Sequence, residues 1–229
     1  MELISLATAM AIADAELLVE SADAPATVRE AHQVRHQVYC LERGYEPGED
    51  GLEIDEFDEH SKHVVLRRRF GGDVIGTARL VMPREGGRED KYPMLDVCGP
   101  AAFNSLPSGT TAEVSRFALT KDRHGISLAA SSLSRLMLVR GLVKLSQREG
   151  VTHWCAMMER TLLRLLRASS IHFQAIGPAV EFHGLRIPSV CGLDKMLARM
   201  AAEQPSIHTF IVPTKVVLTG TDRDRVLAA

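Results

Sequence analysis

The chain has 229 residues, and 45% of them are hydrophobic, which is enough to bury a substantial core. Its 27 basic and 29 acidic residues give a net charge of -2, so the composition excludes a global attraction to nucleic acid or to anionic lipid. We expect a single domain over residues 1–229 with no nucleic-acid partner, and any basic site must be local.

The first 22 residues predict an N-terminal surface helix. They are largely apolar, but Glu2, Asp14 and Glu16 interrupt the run and no positive segment precedes it, which disfavours a secretory signal. No run approaches the ~20 apolar residues of a membrane span, so we expect none, while peripheral membrane contact stays open. The four cysteines form no close pair, which fits a reduced protein in the cytoplasm.

The first half of the chain predicts one helix and three strands. Apolar spacing after Asp23 predicts a helix that carries Arg35 and ends at Gly44. An acidic loop leads to two strands, "HVVLRRRF" and "DVIGTARLVMP", which Gly71 and Gly72 would join as a hairpin. The segment "TAEVSRFAL" predicts the third strand.

The second half alternates helices and strands. Helical spacing from Gly125 to Glu149 predicts a long helix, and "VTHWCAMM", "ERTLLRLLRAS" and "IHFQAIG" then predict a β-α-β unit. Two more strands, "VEFHGLRIP" and "HTFIVPTKVVLT", flank a helix from about Leu193 to Ala202. Together the elements predict an α+β fold in which helices flank a mixed, mostly antiparallel central sheet.

Charged residues occupy strands that should be buried. Arg79 lies in the second strand, and Glu113 and Arg116 lie in the third, where side-chain alternation predicts that they face opposite ways. An unpaired charge there would cost about 3–5 kcal/mol, so partners are required. In some proteins such a network serves only to hold a loop in place. A network whose members come from a helix, a loop and two strands is more often a functional site. The predicted members are Arg35, Arg79, Arg116, Asp55, Asp58 and Glu113.

Four motifs carry a resemblance to a known family. In order, "VRHQVYC", "EIDEFDEHSKH", "VIGTARLV" and "EVSRFAL" resemble the autoinducer-synthase branch of the GNAT N-acyltransferases, over about residues 31–186. This branch includes acyl-homoserine-lactone synthases, N-acyl amino acid synthases and acyltransferases associated with PEP-CTERM exosortase systems. Tyr45 stands where the lactone synthases usually have tryptophan, and "VYCLERGYE" and "VEFHGLRIP" are more similar to the other two groups.

The resemblance implies the GNAT fold and an N-acyltransferase. We expect a long fatty acyl group to pass from an acyl carrier protein (ACP) thioester, or from acyl-CoA, to the amine of a small amino acid. The alternatives are an acyl-homoserine-lactone synthase that uses S-adenosylmethionine and a non-catalytic acyl or carrier-protein sensor. No permanently bound cofactor is expected.

The resemblance also implies roles for individual residues. Attack on a thioester needs a neutral amine, and Glu113 is the predicted base, with Ser115 orienting a water or the leaving group. Trp154, Met157 and Met158 fit either the wall of an acyl tunnel or plain core. The predicted substrate-binding residues are Arg35, Tyr45, Asp55, Asp58, Arg79, Arg116 and Phe117.

The loop "KDRHGIS" lies before the long helix. There the resemblance implies binding of the donor's phosphate groups by backbone N–H groups at a helix N-terminus. Arg123, His124 and Gly125 are the predicted donor-binding residues, although an ordinary charged turn fits the same letters.

The predicted helix "ERTLLRLLRAS" carries a basic stripe along one face. Arg160, Arg164 and Arg167 would lie on one face, with the leucines packed on the sheet. Acyl carrier proteins present an acidic helix, so the stripe predicts carrier-protein docking; a solvated face is the alternative.

Histidines give a weak metal signal. His32 and His36 are one helical turn apart, and His60 and His63 follow nearby acids, but the glutamate of an H-E-x-x-H helix is missing. We expect no metal.

Overall fold

The N-terminal helix is shorter than predicted. The computed structural model describes residues 4–45, 48–83, 92–99, 106–122 and 124–213. In it, helix α1 spans Leu6–Glu16, and strand β1, Leu17–Ser21, follows it directly. Leu17 is fully buried and Val19 packs against the core, so burial in the sheet overrides helix formation at the end of the predicted segment 1–22.

The next elements follow the predicted order. The helix after Asp23 continues past Arg35 as a π-helical segment, which the apolar spacing alone does not reveal. A short 3-10 turn, Asp58–His60, precedes the hairpin. The elements are α2 (Pro25–Arg35), the π-helical segment (His36–Glu42), β2 (Ser61–Arg68), β3 (Val74–Val81), α3 (Pro93–Cys98) and β4 (Thr111–Leu119).

The second half contains a long helix followed by short strands. Its elements are α4 (Leu128–Glu149), β5 (His153–Met158), α5 (Arg160–Arg167), β6 (Gln174–Ala175), β7 (Val180–Glu181), β8 (Leu185–Gly192), α6 (Leu193–Glu203) and α7 (Pro205–Ile211).

The strands form one mixed sheet in the order β1-β2-β3-β4-β5-β8-β6, and β7 pairs with β8. Only the pair β4–β5 is parallel among the strand pairs of the described residues. The predicted α+β class with a mostly antiparallel sheet is therefore confirmed.

Two predictions for the C-terminal half need correction. Strand β6 pairs with β8 and not with β5, so the predicted β-α-β unit has another strand inserted between its strands. The start of "HTFIVPTKVVLT" is helical, because Ile207, Phe210 and Ile211 bury one face at helical spacing after Pro205. Residues 214–219 of that predicted strand lie outside the described residues.

Helix α4 packs across one face of the sheet and forms the main core with it. Met137, Leu138 and Leu142 are buried there, and each such side chain contributes about 1.5–3 kcal/mol through burial. A Cβ atom at Gly141 would lie 2.5 Å from Cγ2 of Val19, so glycine lets the helix approach the sheet closely. Within the described residues, no helix is both long and apolar enough to cross a membrane.

Helix α2 covers part of the opposite face of the sheet. Its Ala31 packs with Val65, and Val34 and Val38 pack with Ala118 of β4. The side chains that reach between this helix and the strands therefore lie in a buried layer, and Arg35 is among them.

Strand β4 contains a β-bulge. In its pairing with β3, Thr77 lies opposite Ala118 but Arg79 lies opposite Ser115, so β4 has one extra residue between the two pairs. Within this interval Arg116 adopts a positive φ of 49°. The bulge reverses the side-chain alternation along the rest of the strand.

The bulge overturns the predicted facing of the charges. Val114 packs in the α4 core before the bulge and Phe117 does so after it. Ser115 and Arg116 instead both reach the layer that contains Arg79. The prediction that Glu113 and Arg116 point to opposite faces is therefore wrong, because it assumed a regular strand.

Candidate active site

A buried ionic network joins α2, β3 and the loop before β2. Arg35, which is fully buried, donates hydrogen bonds to Asp58 through Nη1 at 2.6 Å and Nη2 at 3.0 Å, and its Nε donates to Glu53. Arg79, also fully buried, donates through Nη1 to Asp55 at 2.5 Å and to Asp58 at 3.0 Å. Each buried charge thus has an opposite charge beside it, which avoids the cost of an unpaired ion.

Arg116 connects this network to β4. Its Nη2 donates to Oε1 of Glu53 at 2.9 Å and to Oδ2 of Asp55 at 3.0 Å. Its guanidinium carbon lies 5.6 Å from the centre of the Tyr39 ring, which is a cation–π contact. The acids therefore fix Arg116 above an aromatic side chain of the π-helical segment.

Glu53 is the acid that sequence reasoning missed. The structure brings together Arg35, Arg79 and Arg116 as predicted, but Glu53 and not Glu113 is the third anion. Glu53 and Asp55 are two residues apart in an irregular segment, and this spacing in "EID" could have signalled two side chains that project the same way.

The network keeps its acids ionised. Burial opposes ionisation of Asp58, but hydrogen bonds and charge from Arg35, with the charge of Arg79, outweigh it and hold the pKa of Asp58 well below its usual range. Burial also opposes ionisation of Glu53, and the neighbouring arginines again lower its pKa. At neutral pH these carboxylates are charged.

His32, Asp58 and His63 form a compact cluster whose ligand-type atoms lie within 4.8 Å of one another. Burial, followed by the charge of Arg35, lowers the pKa of both histidines, that of His63 to about 3, so the rings are neutral. Arg35 and Arg79 already bind the Asp58 carboxylate and would repel a cation, and we assign no metal site here.

A cavity of about 480 Å³ opens along β4 and β5. This volume is in the usual range for small-molecule sites. Its wall includes Glu113 and Ser115 together with apolar side chains from β5, α5 and the segment after it. The apolar wall residues include Trp154, Met157, Met158, Leu162, Leu166, Ile171 and Phe173.

Glu113 is a buried acid on the wall of this cavity. Its side chain is 2% exposed, and Oε2 accepts a hydrogen bond from the backbone N–H of Met94 at 2.8 Å. Among the described residues, no guanidinium lies within ion-pair distance of it. Burial raises its pKa to about 8, which the Met94 N–H and the more distant arginines oppose only in part. A carboxyl with this pKa exchanges protons near neutral pH.

Ser115 links the cavity to the ionic network. Its Oγ accepts a hydrogen bond from Nε of Arg79 at 3.0 Å, so its own O–H can be donated into the cavity. Arg79 is in turn held by Asp55 and Asp58. The network therefore positions a hydroxyl two residues along β4 from Glu113.

The predicted substrate-binding residues divide into two groups. Tyr45, Arg116 and Phe117 line the cavity, as do the predicted tunnel residues Trp154, Met157 and Met158. The other group consists of Arg35, Asp55, Asp58 and Arg79, which are not on the cavity wall and whose charges pair with one another. Direct substrate contact by this second group is therefore not what the structure favours, because these side chains lie behind the cavity wall, although Nη2 of Arg79 is buried without a hydrogen-bond partner among the described residues.

The predicted donor loop precedes α4, as expected. The backbone N–H of His124 donates to Asp122 at 2.8 Å, and that of Ser127 donates to the Glu16 carboxylate at 2.6 Å. His124 and Gly125 are exposed and absent from the cavity wall, and Arg123 lies outside the described residues. Acids of the chain itself thus take N–H groups that a phosphate would need.

The basic stripe on α5 borders a groove of about 790 Å³. Arg160, Arg164 and Arg167 are exposed and line it together with Lys195 and Arg199 of α6. Of the leucines expected on the sheet side, Leu166 is buried but Leu165 is 54% exposed. The positive charge is local, as the near-neutral composition requires.

The fold and sequence match known proteins. Residues 34–131 match the GNAT acetyltransferase domain family. LasI, an acyl-homoserine-lactone synthase, aligns with a TM-score of 0.59 at 20% identity over 76% of this chain and 88% of its own. BjaI, a CoA-dependent acyl-homoserine-lactone synthase solved with SAM and isopentyl-CoA, aligns with a TM-score of 0.61 at 20% identity, covering 81% of this chain and 90% of its own.

FeeM, an N-acyl amino acid synthase from uncultured soil microbes, aligns with a TM-score of 0.59 at 16% identity, covering 82% of this chain and 97% of its own. Comparison with curated protein sequences gives no significant match. The family match over residues 34–131, the mixed sheet and the aligned structures show the GNAT fold. The expected fold is thereby confirmed.

Proposed function

We propose that this enzyme transfers a long fatty acyl group from a carrier thioester to the amine of an amino acid and so forms an N-acyl amino acid. The observation that carries the proposal is Glu113, a buried carboxyl of raised pKa on the wall of an apolar cavity within a GNAT sheet. It can accept a proton at the point where an amine meets a thioester.

The reaction needs one proton acceptor and one bond exchange. The ammonium group of the acceptor loses one proton to Glu113, directly or through water, and the neutral nitrogen attacks the thioester carbon. The new C–N bond forms, the C–S bond breaks, and the second proton that the nitrogen loses passes to the leaving thiolate, directly or through water. Ser115, which Arg79 holds in place, would donate its O–H to the thioester oxygen or to the water.

The acyl chain has a matching wall. Trp154 and Met158 are buried, Met157 is half-buried, and all three line the cavity with leucines of α5. Methionine adapts to an irregular apolar ligand, and burial of each CH₂ of the chain contributes about 0.8 kcal/mol. These walls suit a long chain better than an acetyl group.

An acyl carrier protein is the proposed donor. Five cations surround the α5–α6 groove, and an acidic carrier helix would be attracted to them. The carboxylates bonded to the loop before α4 disfavour the diphosphate of CoA at that helix end. Both observations favour a protein carrier over a nucleotide donor.

Thiol release from a long-chain acyl-ACP tests the reaction. We expect thiol to appear with a mixture of amino acids, together with N-acyl amino acids detected by mass spectrometry. Thiol that appears only with S-adenosylmethionine would instead establish a lactone synthase. Binding of acyl-ACP without thiol release under either condition would establish a sensor.

Charge reversal on α5 tests the carrier protein. Replacing Arg160, Arg164 and Arg167 by glutamate should weaken reaction with acyl-ACP at low salt, and the difference should shrink at high salt because of screening. Activity with a short acyl-pantetheine thioester should persist. Arg29→Glu, an exposed change on α2, serves as the control. Equal losses with both donors would show that α5 supports the fold and does not dock a carrier.

A further inference from the structure

The acceptor's carboxylate needs a cation on the cavity wall. Arg35 and Arg79, two of the predicted substrate-binding residues, are fully buried, lie off the cavity wall and pair with acids of the chain. Arg116 lines the cavity, but Glu53 and Asp55 take its donors. If the substrate is an amino acid, another cation has to neutralise its carboxylate.

Arg43 lies on the cavity wall with its donors available. Its side chain is 46% exposed, and among the described residues it forms no hydrogen bond. The nearest acid is Glu159, whose Oε1 lies 3.8 Å from Nη1 of Arg43 but already accepts a hydrogen bond from Nη1 of Arg186 at 2.6 Å. Glu159 is therefore shared and leaves a net positive charge at this position.

Aromatic rings hold Arg43 in place. Its guanidinium carbon lies 5.6 Å from the centre of the Tyr45 ring, and Tyr45 stacks on His183 with ring centres 4.9 Å apart. The stack joins the segment after the π-helix to the β7–β8 hairpin across the cavity. A guanidinium supported in this way loses less freedom when it binds a ligand.

Two other cations of the cavity, Arg186 and Lys121, are less well placed. Arg186 donates to Glu159 and to the backbone oxygens of Phe182 and His183. Lys121 lies beyond the end of β4, eight residues or about 26 Å along the chain from Glu113 at ~3.3 Å per residue. A small amino acid spans far less than that between its amine and its carboxylate.

We propose that Arg43 binds the carboxylate of the acceptor while the acceptor's amine is directed toward Glu113. This inference rests on the proposed function and assigns a specificity residue to it. The planar guanidinium can donate two parallel hydrogen bonds to a carboxylate, which an amide or ester cannot accept with the same charge. Arg43 thus selects acceptors with a free carboxylate.

The test compares an amino acid with its carboxamide as acceptors of the same acyl thioester. The wild type should prefer the free acid by about 10- to 100-fold in kcat/KM, the scale of a charge-assisted hydrogen bond at a partly exposed site. Arg43→Gln should abolish most of this preference through a raised KM for the acid. Arg43→Lys should restore part of it.

Arg135→Gln is the matched control, because Arg135 is another exposed arginine of the same cavity but lies in the second turn of α4. It should retain the preference. If the wild type acylates amino acids and Arg43→Gln keeps the full preference for the free acid, the role of Arg43 is overturned and the proposed function stands. If the wild type acylates no acceptor with a carboxylate, both are overturned.

Discussion

Glu113 should control the pH dependence of the reaction. With a pKa of about 8, roughly one tenth of the free enzyme carries the charged carboxylate at pH 7. We therefore expect kcat/KM to rise about tenfold from pH 7 and to level off above pH 8. Glu113→Gln removes the base and should lower turnover by roughly 10²–10⁴-fold.

The same shift predicts an effect on stability. The pKa of Glu113 is higher in the folded state than the ordinary 4.5, so its contribution is complete below about pH 4.5 and is lost as pH rises through 8. The loss is on the order of 5 kcal/mol at alkaline pH, because each pKa unit corresponds to about 1.4 kcal/mol. Glu113→Gln should be the more stable protein at pH 9, since glutamine stays neutral.

The assay measures thiol release over pH 6–9.5 with an acceptor whose amine does not titrate near pH 8. Urea unfolding of the wild type and of Glu113→Gln is measured in parallel. The rise of kcat/KM near pH 8, the limb of the pH profile, should disappear in Glu113→Gln while the protein stays folded. A variant with wild-type turnover and the same limb would refute the assignment of Glu113 as the base.

Three further changes test other parts of the structure. Asp55→Ala and Arg79→Ala should be non-additive in urea unfolding by about 0.5–3 kcal/mol, because they remove the same ion pair; additive losses would mean that the two residues act independently. His63, whose pKa is lowered to about 3, gives stability that is present above pH 6.5 and falls as the pH drops toward 3, by about 3 kcal/mol at pH 4.5; because Glu113 acts in the opposite direction over this range, the measurement uses Glu113→Gln, and a Glu113→Gln protein equally stable at pH 7 and 4.5 would contradict this. Met157→Trp should fill the apolar cavity and shorten the acyl chains in the product, and unchanged chain lengths by mass spectrometry would remove Met157 from the acyl wall.

Regular patterns made the fold and half of the site predictable. Alternating strands, helical spacing and glycine punctuation predicted the central elements, and two charges in "EVSRF" marked β4 as the strand of interest. The β-bulge escaped prediction because no letter in that strand demands a positive φ: the position is held by Arg116, a residue that rarely adopts it. The acids that bind the Arg116 side chain offset the cost of this backbone conformation, and they are distant in sequence.

The sequence also did not predict which acids pair with the three arginines of the network. Several acids of "GLEIDEFDEH" can pair with three arginines. Only the packed structure shows that Glu53 is buried against these arginines, whereas Glu113 accepts a hydrogen bond from the backbone of Met94 instead. Arg43 gave no signal because an arginine near a helix end usually faces solvent. Its importance follows from the cavity wall, which the sequence does not display.

Mass spectrometry of lipids from cells that express the wild type or Glu113→Gln at equal levels tests the central claim most directly. We expect long-chain N-acyl amino acids with the wild type and little or none with the variant. Acyl-homoserine lactones in place of N-acyl amino acids, or identical lipids from both proteins, would contradict it.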